Sequence, residues 1–134
     1  MFTPDIEKKS LSEREAYQSA RLKEHLLYLQ TSSPYYKQFF AANNIDIHAI
    51  NSIKDLEQIP LTSKDTFHTH NNDFLCVPKN KIAEYTSTSG TTGSPVAVAL
   101  TEKDLDRLAY NEYISFACAD GTSDDVYQLM LTLD

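Results

Sequence analysis

Glycine is scarce in this chain, with three residues in 134. Gly90 and Gly93 fall inside one run of nine residues built only from Ser, Thr and Gly, and Gly121 stands apart. Cysteine is limited to Cys76 and Cys118, which form no Cys-x-x-Cys pair and no disulfide framework, so a reducing cytoplasm suits the chain. Basic residues are in deficit: 12 Lys and Arg face 19 Asp and Glu, for a formal net charge of −7 and a pI near 5.0. Such a surface repels the phosphates of nucleic acid and of anionic lipid, which excludes broad electrostatic binding to either. No apolar stretch approaches the ~20 residues that cross a bilayer. The stretch from Met1 to Lys9 also lacks the apolar segment of a signal peptide. A single nucleotide stays open as a ligand, because a loop holds phosphate with local dipoles whatever the global charge.

What is present fits a folded domain. The 41% hydrophobic and 23% charged content rules out a disordered chain and is enough for one core. Ser12 and Glu15 form a Ser-x-x-Glu capping box that predicts a long helix to about Leu29, with Ala16, Ala20, Leu26, Leu27 and Leu29 on its apolar face. Thr31-Ser32-Ser33 breaks it, and Pro34 suits the first position of a second helix over Tyr35 to Ala42, packed through Tyr36, Phe39 and Phe40 and ended by Asn43-Asn44. Ser52 predicts a short helix through Leu56, and Thr62 or Ser63 another through His68. Past Pro78 the pattern changes: residues 81–85 and 95–100 read as strands flanking the Ser/Thr/Gly run. Thr101 with Asp104 caps a helix that runs to about Ala119 and ends near Gly121. Residues 126–133 read as a buried strand. A strand of that kind needs neighbours on both sides, so the chain is expected to be the N-terminal part of a longer polypeptide.

The run Thr86-Ser87-Thr88-Ser89-Gly90-Thr91-Thr92-Gly93-Ser94 carries seven hydroxyls and two positions that accept positive φ, and Pro95 closes it. Curled into one concavity, its N–H and hydroxyl groups would suit a polyphosphate. It is not a Walker A motif, which needs Lys and then Ser or Thr after the second Gly, and it lacks the third Gly of the dinucleotide fingerprint. By composition alone a flexible tether is the better reading; the strand-like flanks, Pro95 and the Gly-Thr-Thr-Gly spacing bring a phosphate loop level with it. Lesser candidates carry little. His68, His70 and Cys76 match no closed zinc spacing. His25 and His48 read as isolated surface residues, Cys76 and Cys118 as small buried hydrophobes, and Asp120, Asp124 and Asp125 as a solvated turn. Tyr17, Tyr28, Tyr35, Tyr36, Tyr110, Tyr113 and Tyr127 read as packing residues.

The segment Tyr85 to Pro95 resembles the phosphate loop of the acyl-adenylate-forming (AMP-binding) enzymes. Within them it is most similar to the phenylacetate–coenzyme A ligase group, whose loop reads Ser-Ser-Gly-Thr-Thr-Gly-Lys-Pro. Ser33-Pro34-Tyr35-Tyr36-Lys37, the stretch from Asp55 to Lys64, and Thr101-Glu102-Lys103-Asp104-Leu105 resemble further segments of that group, in the same order. The resemblance implies an incomplete α/β fold: a mostly helical N-terminal segment over residues 1–80, then over 81–134 the first strands and a helix of the ATP-binding large domain, with the phosphate loop at 86–95. It implies an acid–thiol ligase that joins an aryl acid such as phenylacetate to coenzyme A, with ATP and Mg²⁺, through an acyl-adenylate. Thr88, Ser89, Thr91 and Thr92 would donate hydroxyl hydrogen bonds to phosphate, and Gly90 and Gly93 would let backbone amides approach. Ser94 stands where the group has lysine; the nearest lysines in sequence are Lys81 and Lys103. The adenine segment, the ribose-binding carboxylate, the acyl pocket and the catalytic lysine lie downstream of such a loop, so no catalytic residue and no metal ligand is expected within this chain. Partners would be the carboxylate, ATP, coenzyme A, and the remainder of the adenylation domain with its C-terminal domain; a homo-oligomer is compatible with the reading. Two other readings stay open: a non-catalytic helical interaction module with a Ser/Thr/Gly tether, and an adenylating homologue with another acyl acceptor.

Overall fold

Ser10, not Ser12, opens the first helix in the computed structural model, which describes residues 4–88, 90 and 95–128. Both serines stand three residues before a glutamate, and local pattern does not separate them. Ser10 prevails because its N–H donates to Glu13 Oε2 at 2.9 Å while its Oγ accepts from the Glu13 N–H at 3.3 Å. The helix α1 (Leu11–Ser32) runs three residues beyond the expected end, then meets α2 (Pro34–Ala42) at Ser33. That joint is the best-buried polar site described, with Ser33 1% exposed. Its Oγ donates to the Asp73 carbonyl at 3.0 Å and accepts from the Tyr36 N–H at 3.3 Å, so the hydroxyl is satisfied in both directions.

The core lies where α1, α2 and the following turn converge. Leu26, Phe40, Ile47 and Ile50 are buried, with Leu22, Leu29, Tyr36, Phe39, Ile45 and Ile59 packed around them. The expected apolar face of α1 is therefore corrected. Leu22 belongs to it, whereas Leu27, Ala16 and Ala20 are exposed. A 3₁₀ turn at Ile53–Gln58, helix α3 (Lys64–Thr69, capped by Ser63) and a 3₁₀ turn at Asn71–Phe74 follow. Tyr35 stacks on Phe74 with ring centroids 4.0 Å apart, which fastens the last of these turns to α2.

Helix ends show how the chain manages its shortage of glycine. Both α2 and α4 (Glu102–Cys118) finish in the same double-bonded motif. Asn44 donates to Ala41 O and Ile45 to Phe40 O; Asp120 donates to Ala117 O and Gly121 to Phe116 O. The left-handed position is filled by Asn44 (φ 53°) and Asp120 (φ 57°), short polar residues that tolerate it. Gly121 is needed for a different reason: a Cβ there would stand 2.6 Å from Tyr127 Oη and 2.9 Å from Phe116 O.

The strands are β1 (Glu84–Ser87) and β2 (Ala97–Leu100), paired antiparallel with Glu84 opposite Leu100 and Ser87 opposite Ala97. Residues 81–83 and 95–96, expected as strand, lie outside them; Lys79–Lys81 is a 3₁₀ turn instead. Thr101 passes the chain from β2 into α4 through the expected capping box with Asp104. Val126, Tyr127 and Gln128 are exposed and are not strand, because no described strand lies beside them to pair with; the rest of that expected strand, 129–133, lies outside the described residues. Of the tyrosines read as packing residues, Tyr17, Tyr28, Tyr110, Tyr113 and Tyr127 are exposed, and Cys118, read as buried, is exposed as well. Tyr17 lies under the Arg21 guanidinium, and Tyr127 packs edge-on against Phe116, ring centroids 4.8 Å apart, while its hydroxyl donates to the Thr122 carbonyl. Tyr35 and Tyr36 also pack, half-buried, both against Phe74. Among the described residues no helix is long and apolar enough to cross a membrane.

Candidate functional site

The Ser/Thr/Gly run begins inside the sheet. Thr86 and Ser87 are the last residues of β1, opposite Val98 and Ala97. One step further, the Thr88 N–H donates to the Val96 carbonyl at 3.1 Å. The return bond is made by a side chain: the Val96 N–H donates to Thr88 Oγ1 at 3.1 Å. The regular ladder stops there, since a hydroxyl has replaced the main-chain acceptor. Thr88 thereby closes the neck of the loop, and its hydroxyl hydrogen is what it retains to donate outward. Gly90 adopts φ 66°, the left-handed region that glycine occupies without cost. Ser89, Thr91, Thr92, Gly93 and Ser94 lie outside the described residues.

The strand leaving the loop is held from both sides. Val96 is 3% exposed, so its side chain is packed away from water and anchors the backbone. From the other side Asn71 Nδ2 donates to the Ala97 carbonyl at 2.7 Å. Sequence reasoning missed Asn71 altogether. Its partner is 26 residues away, and His70-Asn71-Asn72-Asp73 carries no local motif.

Beyond β2, the Thr101 N–H and hydroxyl donate to Asp104 Oδ2 at 3.0 and 2.8 Å. These bonds, with Arg107 adding a weaker attraction, hold the Asp104 carboxyl below its ordinary range. Lys81 and Lys103 line a cleft of about 420 Å³ with Val77, Thr101 and Glu102. In the observed register this cleft belongs to the Glu84–Leu100 end of the hairpin. The neck at Thr88 is four residues further along, roughly 14 Å at ~3.4 Å per residue. Neither lysine stands at the neck, so neither replaces the loop lysine from there.

The remaining candidates do not converge. Among the described residues no group of three or more His, Cys, Asp or Glu side chains could hold a metal ion. His70 Nδ1 instead lies 3.3 Å from Asp73 Oδ2, both exposed. Cys76 is half-buried, with Sγ 3.5 Å from the Phe74 carbonyl, and burial pushes its thiol up. Asp125 Oδ2 accepts from the Thr122 N–H and hydroxyl at 2.7 and 3.0 Å, closing an exposed turn.

No protein-family model matches the chain. Curated relatives do. A phenylacetate–coenzyme A ligase of Aromatoleum evansii is 32% identical over 125 residues, covering 92% of this chain and 28% of the relative. Those of Thermus thermophilus and Escherichia coli are 30% and 31% identical, over 78% and 90% of this chain and 24% and 28% of theirs. Among solved structures, 2-hydroxyisobutyryl-CoA ligase, crystallised with 2-HIB-AMP and CoA in the thioesterification state, superposes with a TM-score of 0.72 at 25% identity, over 81% of this chain and 24% of that one. The same ligase with R3-HIB-AMP in the postadenylation state gives a TM-score of 0.72 at 22% identity, over 81% of this chain and 23% of that one. Such agreement, in sequence and in fold, shows a phenylacetate–coenzyme A ligase-like member of the acyl-adenylate-forming enzymes, of which the chain spans about a quarter of the length of the relatives it matches.

Proposed function

We propose that this chain supplies the pyrophosphate-gripping hairpin of an ATP-dependent carboxylate–coenzyme A ligase. In the reaction the substrate carboxylate, an aryl acid such as phenylacetate, attacks the α-phosphorus of ATP and pyrophosphate leaves. The thiol of coenzyme A then displaces AMP, giving the thioester. Residues 1–80 are the helical segment that carries the hairpin, and 81–134 begin the ATP-binding part. Within the loop Thr88, Ser89, Thr91 and Thr92 donate hydroxyl hydrogen bonds to the β- and γ-phosphates, and Gly90 and Gly93 admit them close to backbone N–H groups. Ser94 contributes a neutral donor where the relatives' group places a lysine. Donors fixed where charge accumulates on the leaving group act by orientation and electrostatics, without forming a bond to it. Mg²⁺, when bound with the nucleotide, neutralises part of the phosphate charge.

The observation that carries this reading is the neck. Two hydrogen bonds between Thr88 and Val96 tie the ends of a hydroxyl-rich run together, with Gly90 in a conformation that turns the backbone. A tether has no use for such a closure. The test is a titration of the 134-residue chain with millimolar Mg·ATP, followed by amide NMR. The Thr88, Gly90 and Val96 amides should shift while Phe40 stays put. A Gly90 amide that does not move at saturating nucleotide would refute the assignment.

A further inference from the structure

We propose that Asn71 is a positioning residue for the loop: by holding the Ala97 carbonyl it fixes where the exit strand sits. Its partner is a carbonyl, which only accepts, so the Asn71 amide nitrogen must face it. The 2.7 Å separation is short for a neutral N–H···O bond. In an antiparallel pair successive residues point alternately at the partner strand and away from it. Since Val96 is bonded to Thr88, the Ala97 carbonyl faces outward, away from β1. Asn71 therefore does at this one position what a third strand would do.

What makes the contact a positioning device is the rigidity behind it. The turn Asn71–Phe74 is held at the α1–α2 joint by the bond from buried Ser33 to the Asp73 carbonyl and by the stack of Phe74 on Tyr35. Continuous contacts thus run from the helical core through Asp73, Asn71 and Ala97 to Val96 and Thr88. A displaced Ala97 would carry Val96 with it and open the neck. The effect on nucleotide rests on the proposed function; the hold on the neck does not.

The experiment uses the 134-residue chain and two variants, Asn71→Ala and Asn71→Asp. The first deletes the donor; the second keeps the shape but turns a carboxylate oxygen against the carbonyl. Amide hydrogen exchange at Thr88 and Val96 should quicken roughly two- to tenfold in Asn71→Ala, the worth of one neutral hydrogen bond, and further in Asn71→Asp. Exchange at Phe40 and Ile50 should stay at the wild-type rate, and half-saturation by Mg·ATP should rise by a similar factor. Unchanged exchange at the neck in both variants overturns the proposal. Equal acceleration at Phe40 and Ile50 does so too, because Asn71 would then support only global stability. So does Mg·ATP binding that is as tight in the variants as in wild type. If the wild-type chain ignores Mg·ATP, the phosphate-loop reading fails, and the exchange rates still decide what Asn71 does.

Discussion

Replacing Thr88 by valine removes one oxygen and leaves the shape of the side chain intact. That oxygen accepts the Val96 N–H at 3.1 Å, and Val96 is 3% exposed. Stranding a buried donor costs about 1–3 kcal/mol, and the partly open setting of this one favours the lower half, about 1–2 kcal/mol. At 1.4 kcal/mol per decade, the neck should open roughly 5- to 30-fold more often. Hydrogen exchange at the Val96 amide reads this directly. The core amides of Phe40 and Ile50 are the internal control, since the clasp lies outside the cluster that buries them. Thr88→Ser supplies the contrast: it keeps the oxygen and loses only the methyl that stiffens χ1, so exchange should stay near wild type. Val96 exchange that is equally fast in Thr88→Ser and Thr88→Val, or unchanged in both, would show that the hydroxyl does not hold the neck. In that event the loop would need some other reason to be closed at its base.

Ser94→Lys should tighten Mg·ATP binding about tenfold, the difference of about 1–1.5 kcal/mol between a charge-assisted and a neutral donor to phosphate; an unchanged affinity by calorimetry would mean that position 94 does not reach the nucleotide. Phe40→Ala, in a core with few buried residues, should cost about 3–5 kcal/mol and lower the urea midpoint sharply or abolish the cooperative transition. Asp104 has a folded pKa below its unfolded one. Its stabilisation is therefore complete above about pH 4 and is lost as pH falls through the lowered value. The melting temperature should drop in acid for that reason, and Asp104→Asn should drop less over the same interval. A parallel decline in the two proteins would remove the capping carboxylate from the explanation.

Local chemistry makes much of this architecture legible. Pro34 at the first position of α2, Ser63 capping α3, and Thr101 with Asp104 opening α4 are each decided within four residues of chain. Where local signals are duplicated, they mislead. Ser10-x-x-Glu13 and Ser12-x-x-Glu15 are equivalent on paper, and only the reciprocal bonds of Ser10 with Glu13 separate them. The apolar stretch from Val126 reads as strand because its composition suits one, but a strand is a relation to a neighbour, and residues 126–128 have none beside them among the described residues. The loop stands out by its hydroxyls and glycines. The way its neck is closed does not, because Thr88 reads as a ligand donor and Asn71 as a loop residue until Val96 and Ala97 are placed next to them.

Under the proposed function, the same distinction bears on how a loop with Ser94 in the place of a lysine would grip phosphate. A lysine adds charge at one point, and Lys81 and Lys103 add theirs at the opposite end of the hairpin. Hydroxyl and amide donors are individually weaker and lose most of their worth if each binding event must first gather them. Their value depends on being held in place beforehand, which is what the Thr88–Val96 clasp and the Asn71–Ala97 bond supply at the loop's base. On this account the neck should matter more here than in a relative that carries the lysine. Introducing Ser94→Lys into an Asn71→Ala chain tests it: lysine should recover a larger factor in Mg·ATP affinity there than in the wild-type background. Equal gains in the two backgrounds would make the charge and the scaffold independent, and the argument from preorganisation would fail.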